Sequence, residues 1–197
     1  MTSLETALRR INADLTQAGV PFAVVGGLAV SVRTEPRFTR DADLAVALST
    51  DAEAEALIHT LRACDYGIDA VIEQEAVGRL ATVRLTLSSE PRSPVVDLLF
   101  ASSGIESEVV ADSEMLELLP HLQMGVARVG HLIAMKVLSR DDMTRPQDIG
   151  DLRALLRTAS PVELARARQG LALIAHRGFH RGRDLAFELN SLMPSTA

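Results

Sequence analysis

A four-residue apolar run, Phe22-Ala23-Val24-Val25, ends on the pair Gly26-Gly27, and a second apolar segment opens on two carboxylates, Asp41-Ala42-Asp43. That order constrains the fold more than any other feature. It asks for a strand that turns at once into a helix over Leu28 to Val32, then a polar loop over 34–40, then a strand entered through Asp41 and Asp43. Two glycines at a strand-to-helix turn let the backbone come close to a phosphate, with helix N–H groups aimed at it. Positions i and i+2 of a strand share a face, so both carboxylates point the same way. Like charges held side by side call for a cation, and hard oxygen ligands suit Mg²⁺ shared with substrate phosphates. Each element alone has a plainer reading: a tight turn for the glycines and a solvated acidic strand end for the aspartates.

Asp97 adds weight to the first reading. It stands inside Val95-Val96-Asp97-Leu98-Leu99-Phe100, where apolar neighbours predict burial. A carboxylate there is costly unless it is paired or metal-bound. If this strand lies beside the Asp41 strand, three carboxylates converge, a set that can hold two Mg²⁺ about 3.5–4 Å apart for displacement at phosphorus. A buried ion pair is the competing explanation.

The 197 residues suit one domain, or one with a small appendage. Thr2 and Glu5 form a possible capping box for a helix carrying Leu4, Leu8, Ile11 and Leu15, closed by Gly19 and Pro21. Asp51 is expected to cap a helix to about Cys64. Strand patterns come next over 68–72, 81–87 and 95–100, then a short helix around 114–119 and one more strand. Past Gly130 the pattern is helical: 131–139, 146–158 with Pro146 in the first turn, 161–175 and 180–192. The expected fold class is α/β (α+β), a mixed sheet followed by a C-terminal helical bundle. The expected division is 1–129 and 130–197.

Composition bounds the partners. There is no Trp and one Tyr, so aromatic stacking is not the main mode of any nucleic-acid binding. Residues 1–127 carry a balance of −10 and residues 128–197 a balance of +4. The basic excess gathers at Arg166, Arg168, Arg177, Arg181 and Arg183 with His176 and His180. It reads either as a solvated helical surface or as a phosphate-binding face. Of twenty basic side chains only Lys136 is lysine, which singles it out where arginine is the rule. One cysteine, Cys64, no apolar leader and no run of ~18 uncharged apolar residues predict a cytoplasmic, soluble protein. The histidines show no metal-ligand spacing, and Met115, Met124, Met135 and Met143 read as core filler.

The run Val24-Val25-Gly26-Gly27, Thr39-Arg40-Asp41-Ala42-Asp43-Leu44 and the later Asp97 resembles the nucleotidyltransferase superfamily. A downstream block narrows this: Leu132 to Arg140 with Lys136 at its centre, then Arg145-Pro146-Gln147-Asp148 and Asp151-Leu152. It is similar to the AbiEii/AbiGii toxin family, which includes the mycobacterial MenT toxins. The resemblance spans about residues 20–158; it departs from the family at Pro146-Gln147, which leaves Asp148 a candidate whose role is open.

The resemblance implies a minimal nucleotidyltransferase fold serving as the toxin of a toxin–antitoxin pair. Such toxins move a nucleotide from an NTP to the 3′ end of tRNA, which blocks aminoacylation and translation. It implies that Gly26 and Gly27 cradle the triphosphate, and that Asp41 and Asp43 bridge two Mg²⁺ ions. Asp97 completes one metal site and helps deprotonate the attacking hydroxyl. Lys136 reaches the β- and γ-phosphates as a point charge; its plainer reading is an exposed solubilising lysine. Asp151 orients Lys136 or Arg140, or is a helix-surface acid facing Arg153 and Arg157. Arg37 and Arg40 bind triphosphate or merely neutralise the aspartates. Thr39 is the regulatory point implied by family members whose antitoxin is a kinase, since a phosphate there adds nearly two negative charges beside the metal ligands. The expected partners are tRNA, NTP and an antitoxin, and the expected state is a monomer. Two other readings share the Gly-Gly and Asp-x-Asp parts: a small-molecule (aminoglycoside-like) or protein nucleotidyltransferase, and a catalytically silent binding module.

Overall fold

A computed structural model describes residues 3–37, 39–87, 94–141 and 147–193. Seven strands build one mixed sheet: β1 (Phe22–Val25), β2 (Ala42–Val46), β3 (Tyr66–Gln74), β4 (Arg79–Leu87), β5 (Val96–Leu99), β6 (Glu114–Leu119) and β7 (Leu122–Val126). Their order is β3-β4-β5-β2-β1-β7-β6. Strand β2 lies near the middle, antiparallel to β1 and parallel to β5. The helices are α1 (Ser3–Gln17), α2 (Gly26–Arg33), α3 (Asp51–Ala63) and α4 (Glu106–Ala111) within the sheet half. After the last strand come α5 (Val129–Ser139), α6 (Gln147–Thr158), α7 (Pro161–His176) and α8 (Leu185–Leu192). This is the expected mixed α/β class, a sheet followed by a run of helices. Among the described residues, no helix is long and apolar enough to cross a membrane.

Local chemistry sets most of the boundaries, and in places corrects the sequence reading. Thr50, not Asp51, caps α3: its hydroxyl accepts from the Glu53 N–H while the Glu53 carboxylate accepts from the Thr50 N–H. Asp51 instead bonds the Arg79 guanidinium at 2.6 Å and the Leu80 N–H at 3.2 Å, tying α3 to β4. The expected helix at 114–119 is strand β6, and the helix lies earlier, at α4. Glu, Met and Leu favour helices, but pairing with β7 overrides that propensity. Met115 accordingly faces solvent and is not core filler. The last helix starts at Leu185 rather than 180, because Arg181 and Gly182 take left-handed backbone (φ 54° and 71°) and Asp184 then caps α8. Thr2, Met143 and Pro146 lie outside the described residues.

Helix α5 (VGHLIAMKVLS) is almost wholly buried, packed among α2, α6, α7 and α8. Gly130, where the sequence pattern changes, sits in its first turn rather than in a linker. A Cβ there would lie 2.4 Å from the backbone oxygen of Glu163 and 2.8 Å from Cβ of Arg166, so the missing side chain is what admits α7. Gly170 of α7 meets Ala134 of α5 in the same close crossing, with 3.1 Å between the added Cβ and that of Ala134. Since rigid backbone is in the way, Gly130→Ala is expected to cost ~1–3 kcal/mol. Urea unfolding measures it, and a neutral or stabilising substitution would contradict this packing.

Candidate active site

One transverse row of the sheet defines the site. Val25 of β1 pairs with Asp43 of β2, Asp43 with Asp97 of β5, and Asp97 with Arg84 of β4. Cross-strand partners share a face, so two carboxylates and a guanidinium stand side by side. Alternation explains the lone acid in an apolar strand: Val96 and Leu98 point into the core, while Asp97 and Leu99 face a cavity of about 630 Å³. Asp41, two residues before Asp43, lines the same cavity. The expected adjacency of the Asp97 strand and the Asp41 strand is therefore present.

The glycine pair serves this row directly. Gly26 has φ 58°, and a Cβ on it would fall 1.9 Å from Oδ2 of Asp43. The Gly27 N–H, at the start of α2, donates to the Asp43 carboxylate. A Cβ on Gly27 would sit 2.7 Å from Nη2 of Arg37 and 3.2 Å from Oγ1 of Thr39. Gly26 is thus required by the aspartate itself, whatever else the turn holds. Thr39 Oγ1 donates to the Asp41 carbonyl at 3.4 Å, and Arg37, Thr39 and Arg40 all line the cavity.

Another part of the cavity wall comes from the helices after the sheet. Lys136 of α5 lines the cavity with its side chain 12% exposed, so it is no solubilising surface lysine. Its Nζ lies 2.6 Å from Oδ1 of Asp148 and 2.9 Å from Oδ2 of Asp151. Arg37 Nη2 donates to the same Asp151 oxygen at 2.8 Å. Asp151 is therefore buried and contacts both Lys136 and Arg37. Asp148 holds Lys136 as closely as Asp151 does.

Asp97 accepts two bonds from Arg84, from Nε at 2.9 Å and Nη2 at 2.8 Å. The carboxylate in return pushes the Arg84 guanidinium well above its ordinary range. Burial, then the neighbouring Asp97 charge, raises Asp43 from 3.8 to about 6, with Lys136 and the Gly27 N–H pulling the other way. A bound cation relieves such a shift, and three carboxylates are the hard donors a magnesium-type ion prefers. The donor set at Asp41, Asp43 and Asp97 thus fits a divalent cation. Among the described residues, however, no three acidic, imidazole or thiolate groups are already drawn together as a metal site. Asp97 is turned to Arg84 instead.

Three features escape the sequence reading. Arg84 has no motif to announce it, although the alternation of β4 puts Thr82, Arg84 and Thr86 on one face. The Pro146-Gln147 departure leaves the role of Asp148 open in the sequence, and its place against Lys136 is what the structure adds. Three arginines of the basic C-terminal run are tied to groups of the chain itself. Arg166 pairs with Asp112 and Glu163, Arg177 with Glu108 and the Gly104 carbonyl, and Arg183 with Glu188 and the Val137 and Leu138 carbonyls. These are ties within the chain, and of that run only Arg181 lines the cavity.

The fold is that of the nucleotidyltransferases. An antigenic nucleotidyltransferase-like protein from Paracoccidioides brasiliensis superposes with a TM-score of 0.56 at 18% identity, over 95% of this chain and 92% of that one. The antibiotic-resistance factor ANT(2'')-Ia gives 0.56 at 16% identity over 90% and 94%. Its complex with adenylyl-2''-tobramycin gives 0.54 at 15% over 89% and 99%. Among curated proteins none matches this chain. The family model of the nucleotidyl transferase AbiEii toxin of type IV toxin–antitoxin systems matches residues 6–195, and the chain belongs to that family.

The raised Asp43 carries a pH signature with a definite sign. A carboxyl whose folded pKa exceeds its unfolded value costs stability once ionised, so this penalty is absent below about pH 4 and complete above about pH 6. Without divalent cations, Asp43→Asn is expected to raise the melting temperature at pH 8 and leave it nearly unchanged at pH 4. Equal effects at both pH values would show that the charge is not strained.

Proposed function

We propose that this toxin transfers a nucleoside monophosphate from an NTP to the 3′ end of tRNA, and so blocks aminoacylation and translation. The observation that carries the reading is the meeting, in one cavity, of the Asp41–Asp43–Asp97 set with Lys136 and the glycine turn. Residues 1–129 supply the carboxylates and the turn, while the helical part, 130–197, completes the site with Lys136, Asp148 and Asp151.

In this mechanism the Gly26-Gly27 turn and the start of α2 face the triphosphate. Lys136, held by Asp148 and Asp151, meets the β- and γ-phosphates as a point charge. Arg37 and Arg40 at the cavity wall add donors for the remaining phosphate oxygens. Asp41, Asp43 and Asp97 would hold a pair of Mg²⁺ ions, which would stabilise charge at the α-phosphate and the leaving pyrophosphate. Asp97 also receives the proton of the attacking 3′-hydroxyl. The new bond joins that oxygen to the α-phosphorus as the bond to the β-phosphate oxygen breaks, and pyrophosphate leaves.

Control belongs to the antitoxin, and Thr39 is where a kinase antitoxin would act. Its hydroxyl bonds the Asp41 backbone, so a phosphate there would set nearly two negative charges against the carboxylate row. Arg181, presented from the α7–α8 turn, is the basic residue of the C-terminal run best placed to meet the acceptor's phosphates.

Total tRNA incubated with Mg²⁺ and each α-labelled NTP in turn tests the reading. Label is expected on tRNA with the wild type, and none with folded Asp41→Ala, Lys136→Ala or Thr39→Glu. No label from folded wild-type protein with any NTP would favour a small-molecule or protein acceptor, or a silent binder. Full transfer by Thr39→Glu would remove Thr39 as a control point.

A further inference from the structure

Arg84 sits where the carboxylate row needs a decision. It shares the transverse row with Asp43 and Asp97. Both oxygens of Asp97 are engaged, at 2.9 and 2.8 Å, by a planar fork that matches a carboxylate in two places at once. Arg84 itself remains 40% exposed, while the Asp97 side chain is 12% exposed. The cation of this pair is thus the more solvent-exposed member, on a strand face that lines the cavity. The fork takes a lone pair on each Asp97 oxygen and sets a full positive charge against the carboxylate, so a metal ion that binds Asp97 has to compete with that charge.

The consequences differ for the two neighbouring acids. Arg84 compensates Asp97 but leaves Asp43 without a matching fork, and the structure shows Asp43 meeting the Gly27 N–H instead. A guanidinium displaced from a carboxylate retains its charge and its donors, and the best replacement for a carboxylate fork is a phosphate oxygen pair. A triphosphate in the same cavity supplies that replacement. Metal and triphosphate should therefore favour each other's binding through Arg84, because one empties Asp97 and the other receives the guanidinium.

We propose that Arg84 is a positioning residue that occupies Asp97 in place of a divalent cation, so that the site binds metal weakly alone and tightly only when a triphosphate takes the released guanidinium. This rests on Asp41, Asp43 and Asp97 being the metal ligands, and it names a residue outside that set. It also gives the toxin a safeguard: metal without nucleotide does not assemble the site.

Binding of Mn²⁺, read by electron paramagnetic resonance and by titration calorimetry, tests this apart from activity. Arg84→Gln is expected to bind Mn²⁺ alone about tenfold more tightly than the wild type, as loss of one charged, bidentate competitor implies. The extra tightening that a non-hydrolysable NTP analogue gives the wild type should shrink in the variant. Arg84→Lys, which keeps the charge but not the fork, should fall between the two, and it carries the test alone if the Gln variant does not fold. Mn²⁺ affinity unchanged or weakened in the variant, with the wild type binding and Asp41→Asn not, would make Arg84 a mere prop for Asp97 and overturn the proposal. Absence of Mn²⁺ binding in every form, with or without the analogue, would overturn both the proposal and the metal reading beneath it. In the labelling assay a lowered kcat at a retained KM for NTP would instead place Arg84 on the acceptor side, against the proposed exchange.

Discussion

Asp43 and Asp97 are neighbours across two parallel strands, and much of the site results from keeping two carboxylates that close in a half-buried place. Burial, and then repulsion from Asp97, raise Asp43 to about 6. The glycine at position 26 clears the space its carboxylate occupies, and the N-terminal turn of α2 offers it an N–H. Arg84 takes the charge of Asp97 from the far side. Remove any of these and the pair becomes harder to hold, which fits a site whose ordinary companion is a cation.

The second half of the site is organised by charge in the same manner. Lys136 lies within reach of Asp148 and Asp151, and Asp151 also binds Arg37 from the loop before β2. Buried ion pairs contribute little net stability, because desolvation offsets most of the attraction. Their value here is positional: they fix an ammonium in the wall of the cavity that the carboxylates also line, and link the helices to the loop before β2. The chain places its one lysine at that point, where a compact charge suits a phosphate chain.

The first five strands and the carboxylates at 41, 43 and 97 are legible in the sequence because each rests on local chemistry. Period-2 alternation, the Gly-Gly turn and the Asp-x-Asp start all appear within short windows of sequence. The illegible parts depend on register and on distant pairing. Strand β6 looks helical until β7 lies beside it, and Arg84 is an ordinary strand residue until Asp97 is placed across from it. The arginines at 166, 177 and 183 look like a phosphate-binding face until their acidic partners on other elements come into view. Asp148 is a different case: a departure from a family pattern leaves its role open, and geometry puts it against Lys136.

The central claim is that the three aspartates and Lys136 form one site for a divalent cation and a triphosphate. The most direct measurement is the melting temperature of the wild type and of Asp41→Asn with Mg²⁺, with a non-hydrolysable NTP, and with both. Asp41 is exposed, so the substitution leaves the core intact. The account predicts that the two ligands together stabilise the wild type more than the sum of their separate effects, and that this excess vanishes in Asp41→Asn. A wild type that gains nothing from the pair, or a variant that gains as much, would contradict it.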